Sequence, residues 1–411
     1  MLKSEFNPVQ SNERIAAIDI IRAFALFGVL LINMPDFSGA ADFEFLGHPI
    51  ASTKLGNLIN LLSEILVHGK AVGCFALLFG VGLFIQFERA ATRGMLPAIF
   101  AFRRLGALLL IGAAHYLLLW KGDILIDYAL VGFCLLFFLR ANGRVYLICG
   151  VAALLIGTNL GWIINHLHLS PRLNIDFYSK TIVTGEMKTF GYQDWFACCR
   201  WRFSVLTSFH QVGERLFDIL YILPFFLTGA WMWRKGLIRN PEMHRGFWKK
   251  VFHATFWLGL VGSFIISDAT TIFPKHLNGI LVYESVAYVL SVGYFSGLML
   301  ALGSPKVTGA FKSFSYMGRM ALTNYLGQSL IMTTLFYHYG FDLWGKLGTT
   351  TCFALVLLVY ALQALASRWW LTYFKFGPAE WLWRSMTYGQ WQDFLRRERA
   401  MATTLPGEQA S

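Results

Sequence analysis

Residues 103–140 contain two long apolar runs joined by a short polar turn at 120–123, with arginine at both outer ends. Each run approaches the roughly 20 apolar residues that a helix needs to cross a bilayer. Backbone polar groups in lipid must be satisfied inside the spanning structure, which for runs of this length means a helix. The stretch therefore predicts a transmembrane helical hairpin.

The composition extends this prediction to the whole chain. Hydrophobic residues make up 56% of the 411 residues, charged residues only 14%, and the mean hydropathy is +0.52. Ordinary soluble domains carry about 25% charged residues. We therefore predict an all-α, polytopic transmembrane helical bundle rather than a set of separate soluble domains.

About ten crossings fit the hydropathy pattern. They are predicted near residues 15–34, 70–88, 104–119, 123–140, 145–165, 214–233, 251–270, 280–302, 316–338 and 349–370. The bundle then occupies residues 15–370, after a short segment at 1–14. An amphipathic segment and a disordered tail are predicted at 371–411.

Lysine and arginine are concentrated in alternate loops. The positive-inside rule places those loops, and with them both termini, in the cytoplasm. The formal net charge of +12 is then a topology signal, so no nucleic-acid partner is expected.

The long loop at 166–213 combines charges with aromatic residues and is predicted to form an outer cap over the bundle. The alternative is an aromatic belt that anchors this loop at the headgroups.

Cysteine spacing indicates neither a metal site nor a disulfide framework. Four of the six cysteines lie within apolar runs, and the other two, Cys198 and Cys199, are adjacent. The sequence has no CxxC spacing of the kind that binds metals. No metal is therefore expected.

The hairpin carries three ionisable side chains. His115 lies shortly before the polar turn, and Asp123 and Asp127 are four residues apart after it, so we expect both carboxylates on one helix face. Each such group costs about 2.5–3.5 kcal/mol to insert and normally faces a bundle interior or a wet cavity. His115 is either a structural residue bonded to a neighbour or a general base whose tautomer is fixed by Asp127 or Asp123.

Two residues near the outer face are further candidates. His48 lies beyond the first helix beside Asp36 and Asp42, so it is the second candidate base, although an ordinary solvated histidine fits equally well. Lys70 begins a predicted crossing. Its amine either snorkels to the interface or contacts an anionic substrate.

The first helix places Asp19 and Arg22 three residues apart, a spacing that allows an ion pair. Arg22 precedes Asn33 by the same number of residues that separates Arg104 from His115, which is about 16 Å of helix axis. These stripes suit an elongated ligand with an anionic head at the cytoplasmic mouth. The alternative is that the ion pair serves folding and the arginines only mark topology.

Polar residues recur in the last third of the chain. Asn324 and Gln328 are four residues apart in the ninth crossing, so two amides share one helix face. They either bond a neighbouring helix or line a polar site. Glu380 and Arg384 have the spacing of a helix-stabilising pair.

Five sequence blocks resemble those of the YeiB-like bacterial membrane proteins, in family order and over nearly the whole chain. They are RIAAIDIIRAFALFGVLLINM, GKAVGCFALLFGVGL, RRLGALLLIGAAHYLLLWKGDILIDYALVG, GRMALTNYLGQS and GPAEWLWRSMTYG. That family is grouped with transmembrane acyltransferases, which include heparan-glucosaminide N-acetyltransferase and the acyltransferase-3 O-acetylases. The resemblance implies about ten helices in a bacterial inner membrane. It also implies acyl-CoA, in the first instance acetyl-CoA, as a cytoplasmic donor, and a glycan or other small acceptor on the far side.

The resemblance also bears on the choice of base. Acyltransferase-3 proteins typically end the first helix with a catalytic histidine, where this chain has Asn33. The heparan-type enzyme also has asparagine there and uses a histidine a short way downstream, where the nearest histidine here is His48. His115 therefore stays the first candidate and His48 the second. Matching blocks also contain Asp123, Tyr128, Arg319, Asn324, Gln328, Glu380 and Arg384.

These observations together predict a membrane-bound acyltransferase whose polar groups converge on one passage open to the cytoplasm. The expected catalytic residues are His115, Asp127, Asp123 and His48. The expected substrate contacts are Asn33, Lys70, Tyr128, Asn324 and Gln328. The expected contacts to acyl-CoA are Arg22, Arg103, Arg104, Arg319, Glu380 and Arg384.

The alternative is a transporter or exporter of a small or lipid-linked molecule, because permeation paths use the same intramembrane polar groups. Membrane lipid is the expected surrounding partner, and a homodimer is left open.

Overall fold

The structure is a computed structural model that describes residues 15–92, 94, 96–166, 175–268 and 279–396. The predicted N-terminal segment at 1–14 and residues 397–411, which include the tail predicted to be disordered from Ala400, lie outside the described residues. The described residues contain α-helices and a single isolated β-bridge, between Phe374 and Leu395, but no strand. The all-α prediction is therefore confirmed.

The described residues form seventeen helices. They are α1 (Ala16–Ser38), α2 (Ala40–Phe45), α3 (Lys54–Leu66), α4 (Lys70–Thr92), α5 (Pro97–Leu118), α6 (Leu125–Leu136), α7 (Gly143–His166), α8 (Ile175–Phe190), α9 (Trp195–Leu206), α10 (Phe209–Arg234), α11 (Arg245–Asp268), α12 (Gly279–Leu302), α13 (Pro305–Ala310), α14 (Lys312–Arg319), α15 (Ala321–Phe336), α16 (Thr349–Tyr373) and α17 (Pro378–Tyr388).

Each predicted crossing overlaps at least one of these helices, and the ninth, at 316–338, overlaps both α14 and α15. By length and composition, seven segments of the described chain are apolar enough to cross a membrane. These segments are α1, the stretch of α3 and α4, α5, α16 and most of α10, α11 and α12. The remaining predicted crossings correspond to α6, α7 and α15, and α6 and α15 have only 12 and 16 residues. The chain is thus a multi-pass membrane protein.

Helix α4 packs closely against α10 through glycine. A Cβ built on Gly80 would lie 2.3 Å from the carbonyl oxygen of Phe226, and one on Gly229 would lie 2.2 Å from that of Leu77. The two backbones are therefore in contact, as small residues at helix interfaces allow in membranes. By contrast, only 11% of the apolar stretch of α11 is buried inside the protein. Its exposed side chains, such as Trp257 and Leu258, suit a lipid-facing position.

The ninth predicted crossing is broken at Met320, and treating residues 316–338 as one helix is wrong in this respect. Glu380 of α17 accepts hydrogen bonds from the backbone N–H groups of Leu322 and Thr323 at 2.7 and 3.1 Å, and from the Thr323 hydroxyl at 2.5 Å. These donors have no partner inside the helix because they lie in its first turn. A carboxylate that is remote in sequence therefore caps α15, which local sequence patterns do not reveal.

Helices α8 and α9 lie within the predicted cap and contact the end of α5. Arg202 donates to the carbonyl of Leu117, and the indole N–H of Trp195 donates to that of Leu118, both at 2.8 Å. The last carbonyls of a helix lack intrahelical partners. These two side chains of α9 therefore complete the C-terminus of α5, near the polar turn of the hairpin.

Candidate functional site

The polar turn of the hairpin holds a buried histidine–aspartate pair. Nδ1 of His115 lies 2.6 Å from Oδ2 of Asp123, and the two side chains are 1% and 0% exposed. The other oxygen of Asp123 accepts the backbone N–H of Ile126 at 2.8 Å and so caps α6. A carboxylate accepts hydrogen bonds, so Nδ1 carries a proton, and in the neutral imidazole Nε2 is the acceptor. Nε2 is buried and has no hydrogen-bond partner among the described residues.

Asp127 does not pair with His115. Helix α6 begins only at Leu125, so the expectation that Asp123 and Asp127 share a helix face is wrong: Asp123 precedes the helix and caps it. Oδ2 of Asp127 instead accepts a hydrogen bond from Nη1 of Arg215 at 2.5 Å, and the same Nη1 lies 3.2 Å from the carbonyl oxygen of Asp123. Arg215 of α10 thus joins both aspartates into one network with His115.

Tyr325 of α15 lies against this network. Its hydroxyl donates to the carbonyl of Gly122 at 3.2 Å and accepts the N–H of Ile124 at 3.3 Å, so it is bonded to both sides of Asp123. Its ring centre lies 5.1 Å from that of His115. Tyr325 therefore holds the turn in place and covers one side of the imidazole.

A cavity of about 270 Å³ reaches this tyrosine, and we call it the basic cavity. Six cationic side chains line it, and they are Arg22, Arg89, Arg104, Arg319, Lys375 and Arg384. Its inner end is lined by Ile124, Leu125, Tyr128 and Tyr325. Lining residues on α4 run from Phe75 to Ala90, about 22 Å of helix axis at a rise of 1.5 Å per residue. The volume lies near the lower end for small-molecule sites.

The cations are held in place by their neighbours. Nη1 of Arg22 lies 2.8 Å from Asp19, which confirms the predicted ion pair. The guanidinium carbon of Arg104 lies 3.5 Å from the centre of a Trp383 ring, and the indole N–H of Trp383 donates to the Arg104 carbonyl at 2.9 Å. Such stacking fixes a guanidinium without neutralising it. Nε of Arg104 has no hydrogen-bond partner within the described chain.

Among the described residues, the carboxylates that line the cavity with these six cations are Asp19 and Glu380, and a third, that of Asp393, pairs with Lys375 at 3.2 Å. Burial raises the pKa of Glu380, while its hydrogen bonds from Thr323 and Leu322 oppose that shift. The basic cavity therefore has an excess of positive charge next to apolar walls formed by residues such as Phe79 and Leu83. This combination favours an anionic ligand with a less polar extension.

The structure separates the residues predicted as site residues into two groups. Among the expected donor contacts, Arg22, Arg104, Arg319, Glu380 and Arg384 line the basic cavity, as does Tyr128. Arg103 does not line it and is exposed, although it neighbours Arg104 in sequence. His115, Asp123 and Asp127 form the network behind the inner end of the cavity.

The remaining predicted residues lie elsewhere. Asn324 and Gln328 bond α15 to α16: Asn324 donates to Ser367 at 2.9 Å, and Gln328 donates to Gln363 at 3.0 Å. The amine of buried Lys70 donates to the Glu64 carbonyl at 3.0 Å. None of these three, nor Asn33 on α1 nor exposed His48, lines the basic cavity.

Sequence reasoning missed Arg215, Tyr325, Trp383, Arg89 and Lys375. A charge-balance argument could have pointed to Arg215, because an aspartate inside a membrane bundle usually has a cationic partner. Tyr325 lies between the two amides that were singled out, but a tyrosine in an apolar helix gives no chemical signal. Arg89 and Lys375 belong to the basic loops, whose charge was interpreted only as a topology signal.

Comparison with known proteins finds one family and several bacterial relatives. The family described as "Protein of unknown function (DUF418)" matches residues 232–390. "Uncharacterized protein YxaH" of Bacillus subtilis (strain 168) is 30% identical over 417 residues, covering 96% of this chain and 100% of that protein. "Uncharacterized protein YeiB" of Escherichia coli (strain K12) is 28% identical over 394 residues, covering 91% and 96%.

A third relative, the "Uncharacterized 39.9 kDa protein in amylase 3'region" of Bacillus acidopullulyticus, is 26% identical over 403 residues, covering 96% of this chain and 99% of that protein. No solved structure matches the chain. The similarity to YxaH extends over that entire protein, and the DUF418 match falls within the same alignment. The chain therefore belongs to the DUF418 family of YeiB-like membrane proteins, as the sequence blocks indicated.

Proposed function

We propose that this protein is a membrane-bound acyltransferase, which moves an acyl group such as acetyl from acyl-CoA to a hydroxyl or amine of an acceptor. The observation that supports this most strongly is the placement of the His115–Asp123 pair directly behind the inner end of the basic cavity. A cavity for an anionic donor and a histidine with a free lone pair are the two parts that this reaction needs.

The donor end of the proposal rests on charge and length. Acyl-CoA carries its phosphates at one end and its thioester at the other end of a flexible, weakly charged arm. The lining of the basic cavity combines cations such as Arg22 and Arg319 with apolar and tyrosine side chains, and its Tyr325 contacts the hairpin turn. Arginine binds phosphate oxygens through charge-assisted, often bidentate hydrogen bonds. The phosphates would therefore lie among the arginines and the thioester beside Tyr325.

The proposed chemistry uses Nε2 of His115 as the base. Nε2 takes the proton from the acceptor hydroxyl or amine, whose oxygen or nitrogen then forms a bond to the thioester carbonyl carbon. The carbon–sulfur bond breaks, and the proton on His115 passes to the departing thiolate. Asp123 stabilises the imidazolium that forms in between, the role that a buried carboxylate plays beside a catalytic histidine.

Tyr325 has a gating role in this proposal, because it lies between the basic cavity and the imidazole. Its two hydrogen bonds are both to backbone groups of the turn, at 3.2 and 3.3 Å. Neutral hydrogen bonds contribute only about 0.5–1.5 kcal/mol each, so these two bonds add little to the cost of turning the side chain aside when the donor binds. The thioester then reaches His115.

The proposed orientation places the arginines of the basic cavity in the cytoplasm, following the positive-inside rule. Acyl-CoA is a cytoplasmic metabolite, so the donor would enter from that side. The end of the bundle that carries α8 and α9 would then face the opposite side, and the acceptor would enter there. A bacterial inner membrane satisfies both conditions.

Donor binding is tested with the full chain in lipid nanodiscs, by thermal unfolding and by titration with acetyl-CoA. We expect acetyl-CoA to raise the unfolding midpoint, because a ligand that binds only the folded state stabilises it. Arg22→Gln should weaken acetyl-CoA binding about tenfold or more, since it removes a hydrogen bond to a charged group worth about 1.5–3 kcal/mol. Arg103→Gln is the matched control, because Arg103 is an exposed arginine outside the cavity, and it should leave the affinity unchanged.

The contradicting results are specific. Absence of stabilisation by acetyl-CoA at millimolar concentration, together with no transfer of radiolabelled acetyl to glycans, argues against the proposal. Stabilisation by a lysophosphatidate but not by acetyl-CoA would instead favour an exporter of an anionic lipid, since such a molecule also pairs an anionic head with an apolar tail.

A further inference from the structure

A second polar cluster lies at the end of the bundle opposite to the arginines of the basic cavity, and we call it the outer cluster. It consists of Asp36 in the last turn of α1, Asp42 of α2, Lys121 in the hairpin turn and Glu186 of α8. Glu186 and Asp42 are 2% and 5% exposed. Four separate elements therefore bring three carboxylates and one lysine together beneath α8.

The outer cluster contains a buried carboxylate oxygen that accepts no hydrogen bond from the described residues. The amine of Lys121 donates to Glu186. Asp42 lies close enough to Lys121, Glu186 and Asp36 for their charges to affect its carboxylate. Yet Oδ2 of Asp42 is buried without a hydrogen-bond partner among the described residues. A buried carboxylate oxygen without a donor is costly and calls for an explanation.

The electrostatic environment of Asp42 favours the binding of a cation. Burial raises the pKa of Asp42 to about 7, and the charges of Glu186 and Asp36 act in the same direction. Lys121 opposes this shift but does not cancel it. Because a nearby positive charge stabilises the ionised form of a carboxyl group, a cationic ligand at Oδ2 would remove the cost of leaving Asp42 charged.

The outer cluster lies within reach of the histidine–aspartate pair. Lys121 precedes Asp123 by two residues, so their Cα atoms are at most about 7 Å apart. Trp120, next to Lys121, stacks on Phe37, next to Asp36, with ring centres 4.1 Å apart. Both rings are buried, so this aromatic pair fixes the end of α1 against the hairpin turn beside the cluster.

We propose that the outer cluster binds the ammonium group of an amino alcohol, an amino sugar being the simplest case, with Asp42 Oδ2 accepting one of its N–H groups. The proposal that this ligand is the acyl acceptor rests on the function proposed above. An ammonium group has no lone pair, so a hydroxyl of the same molecule would be acylated. That hydroxyl gives its proton to Nε2 of His115 and bonds to the acyl carbon, and the thiolate of the donor leaves and takes the proton.

Chemistry distinguishes an ammonium ligand from a metal ion here. Within the described ranges, no group of three or more His, Cys, Asp or Glu side chains is placed to hold a metal ion. Divalent cations prefer six or more oxygen ligands in the case of Ca²⁺ and near-octahedral geometry in the case of Mg²⁺. A single unused carboxylate oxygen beside a lysine instead matches one N–H donor.

The test uses thermal unfolding of the full chain in nanodiscs with glucosamine, and with glucose and N-acetylglucosamine as uncharged controls. We expect glucosamine alone to raise the unfolding midpoint in a saturable way. Asp42→Asn, which keeps the shape and removes the charge, should raise the half-saturating glucosamine concentration at least about tenfold. Asp342→Asn is the matched control, since Asp342 is a surface carboxylate paired with Lys346. This variant should leave the half-saturating glucosamine concentration unchanged.

The outcomes separate this inference from the proposed function. Equal stabilisation by glucosamine and glucose, or none by glucosamine, overturns the inference even if acetyl-CoA still binds. Selective glucosamine binding that Asp42→Asn abolishes supports the outer cluster as a binding site, even if acetyl-CoA fails to bind. In that case the outer cluster binds an ammonium ligand, and the proposal that this ligand is an acyl acceptor is rejected. If Asp42→Asn does not fold, the comparison of the three sugars on the unaltered chain still decides.

Discussion

Replacing His115 by glutamine is expected to lower acyl transfer about 10²–10⁴-fold, the usual contribution of a general base, while acetyl-CoA affinity stays unchanged. Glutamine retains an amide N–H that can donate to Asp123, so the buried carboxylate keeps a partner, but its side chain cannot take up a proton. The measurement is the initial rate of radiolabel transfer from acetyl-CoA, together with the dissociation constant of acetyl-CoA for each variant.

His48→Gln is the matched comparison, because it removes an imidazole from the exposed loop that follows α2. We expect it to retain the rate of the unaltered protein. The opposite pattern, with His48→Gln inactive and His115→Gln active, would show that the base comes from the outer loop and that the His115–Asp123 pair is structural.

Replacing Asp127 by alanine is expected to destabilise the protein by about 3–5 kcal/mol. The change leaves Arg215 without its 2.5 Å ion-pair partner in a setting where the two side chains are 11% and 5% exposed. Removing one partner of a buried pair is costly because the other charge stays buried. Chemical or thermal unfolding in nanodiscs gives the free energy of unfolding.

The double variant Asp127→Ala/Arg215→Met supplies the control for this prediction. Replacing both partners of a buried pair by apolar groups is often nearly neutral, so the double variant should recover most of the stability lost in Asp127→Ala. A double variant as unstable as the sum of the two single changes would mean that the two side chains act independently.

The sequence predicted the fold better than the site, for physical reasons. Long apolar runs can only be satisfied as helices in lipid, so every predicted crossing has a helix in the structure. The break at Met320 escaped prediction because the carboxylate that caps α15 belongs to Glu380, in a different helix. Hydropathy reports on the environment of a segment, whereas a cap supplied from a distance leaves no local trace.

Within the site, the sequence identified the important turn but not which side chains contact one another there. His115 was correctly placed near two aspartates, and only the start of α6 at Leu125 decided between them. Arg103 and Arg104 look alike in the sequence, yet adjacent helical residues point about 100° apart, and only Arg104 enters the cavity. Periodicity fixes relative directions on a helix but not which direction faces the site.

The most direct test of the central claim, that a CoA thioester reaches the histidine–aspartate pair through the basic cavity, is photo-crosslinking. An acyl-CoA with a diazirine in its acyl chain is photolysed with the full chain in nanodiscs, and the labelled peptides are identified by mass spectrometry. We predict labelling at Ile124, Tyr128 and Tyr325 that excess acetyl-CoA suppresses. Labelling that excess acetyl-CoA leaves unchanged, and that falls on lipid-facing residues such as Trp257 and Leu258 of α11, would contradict the account.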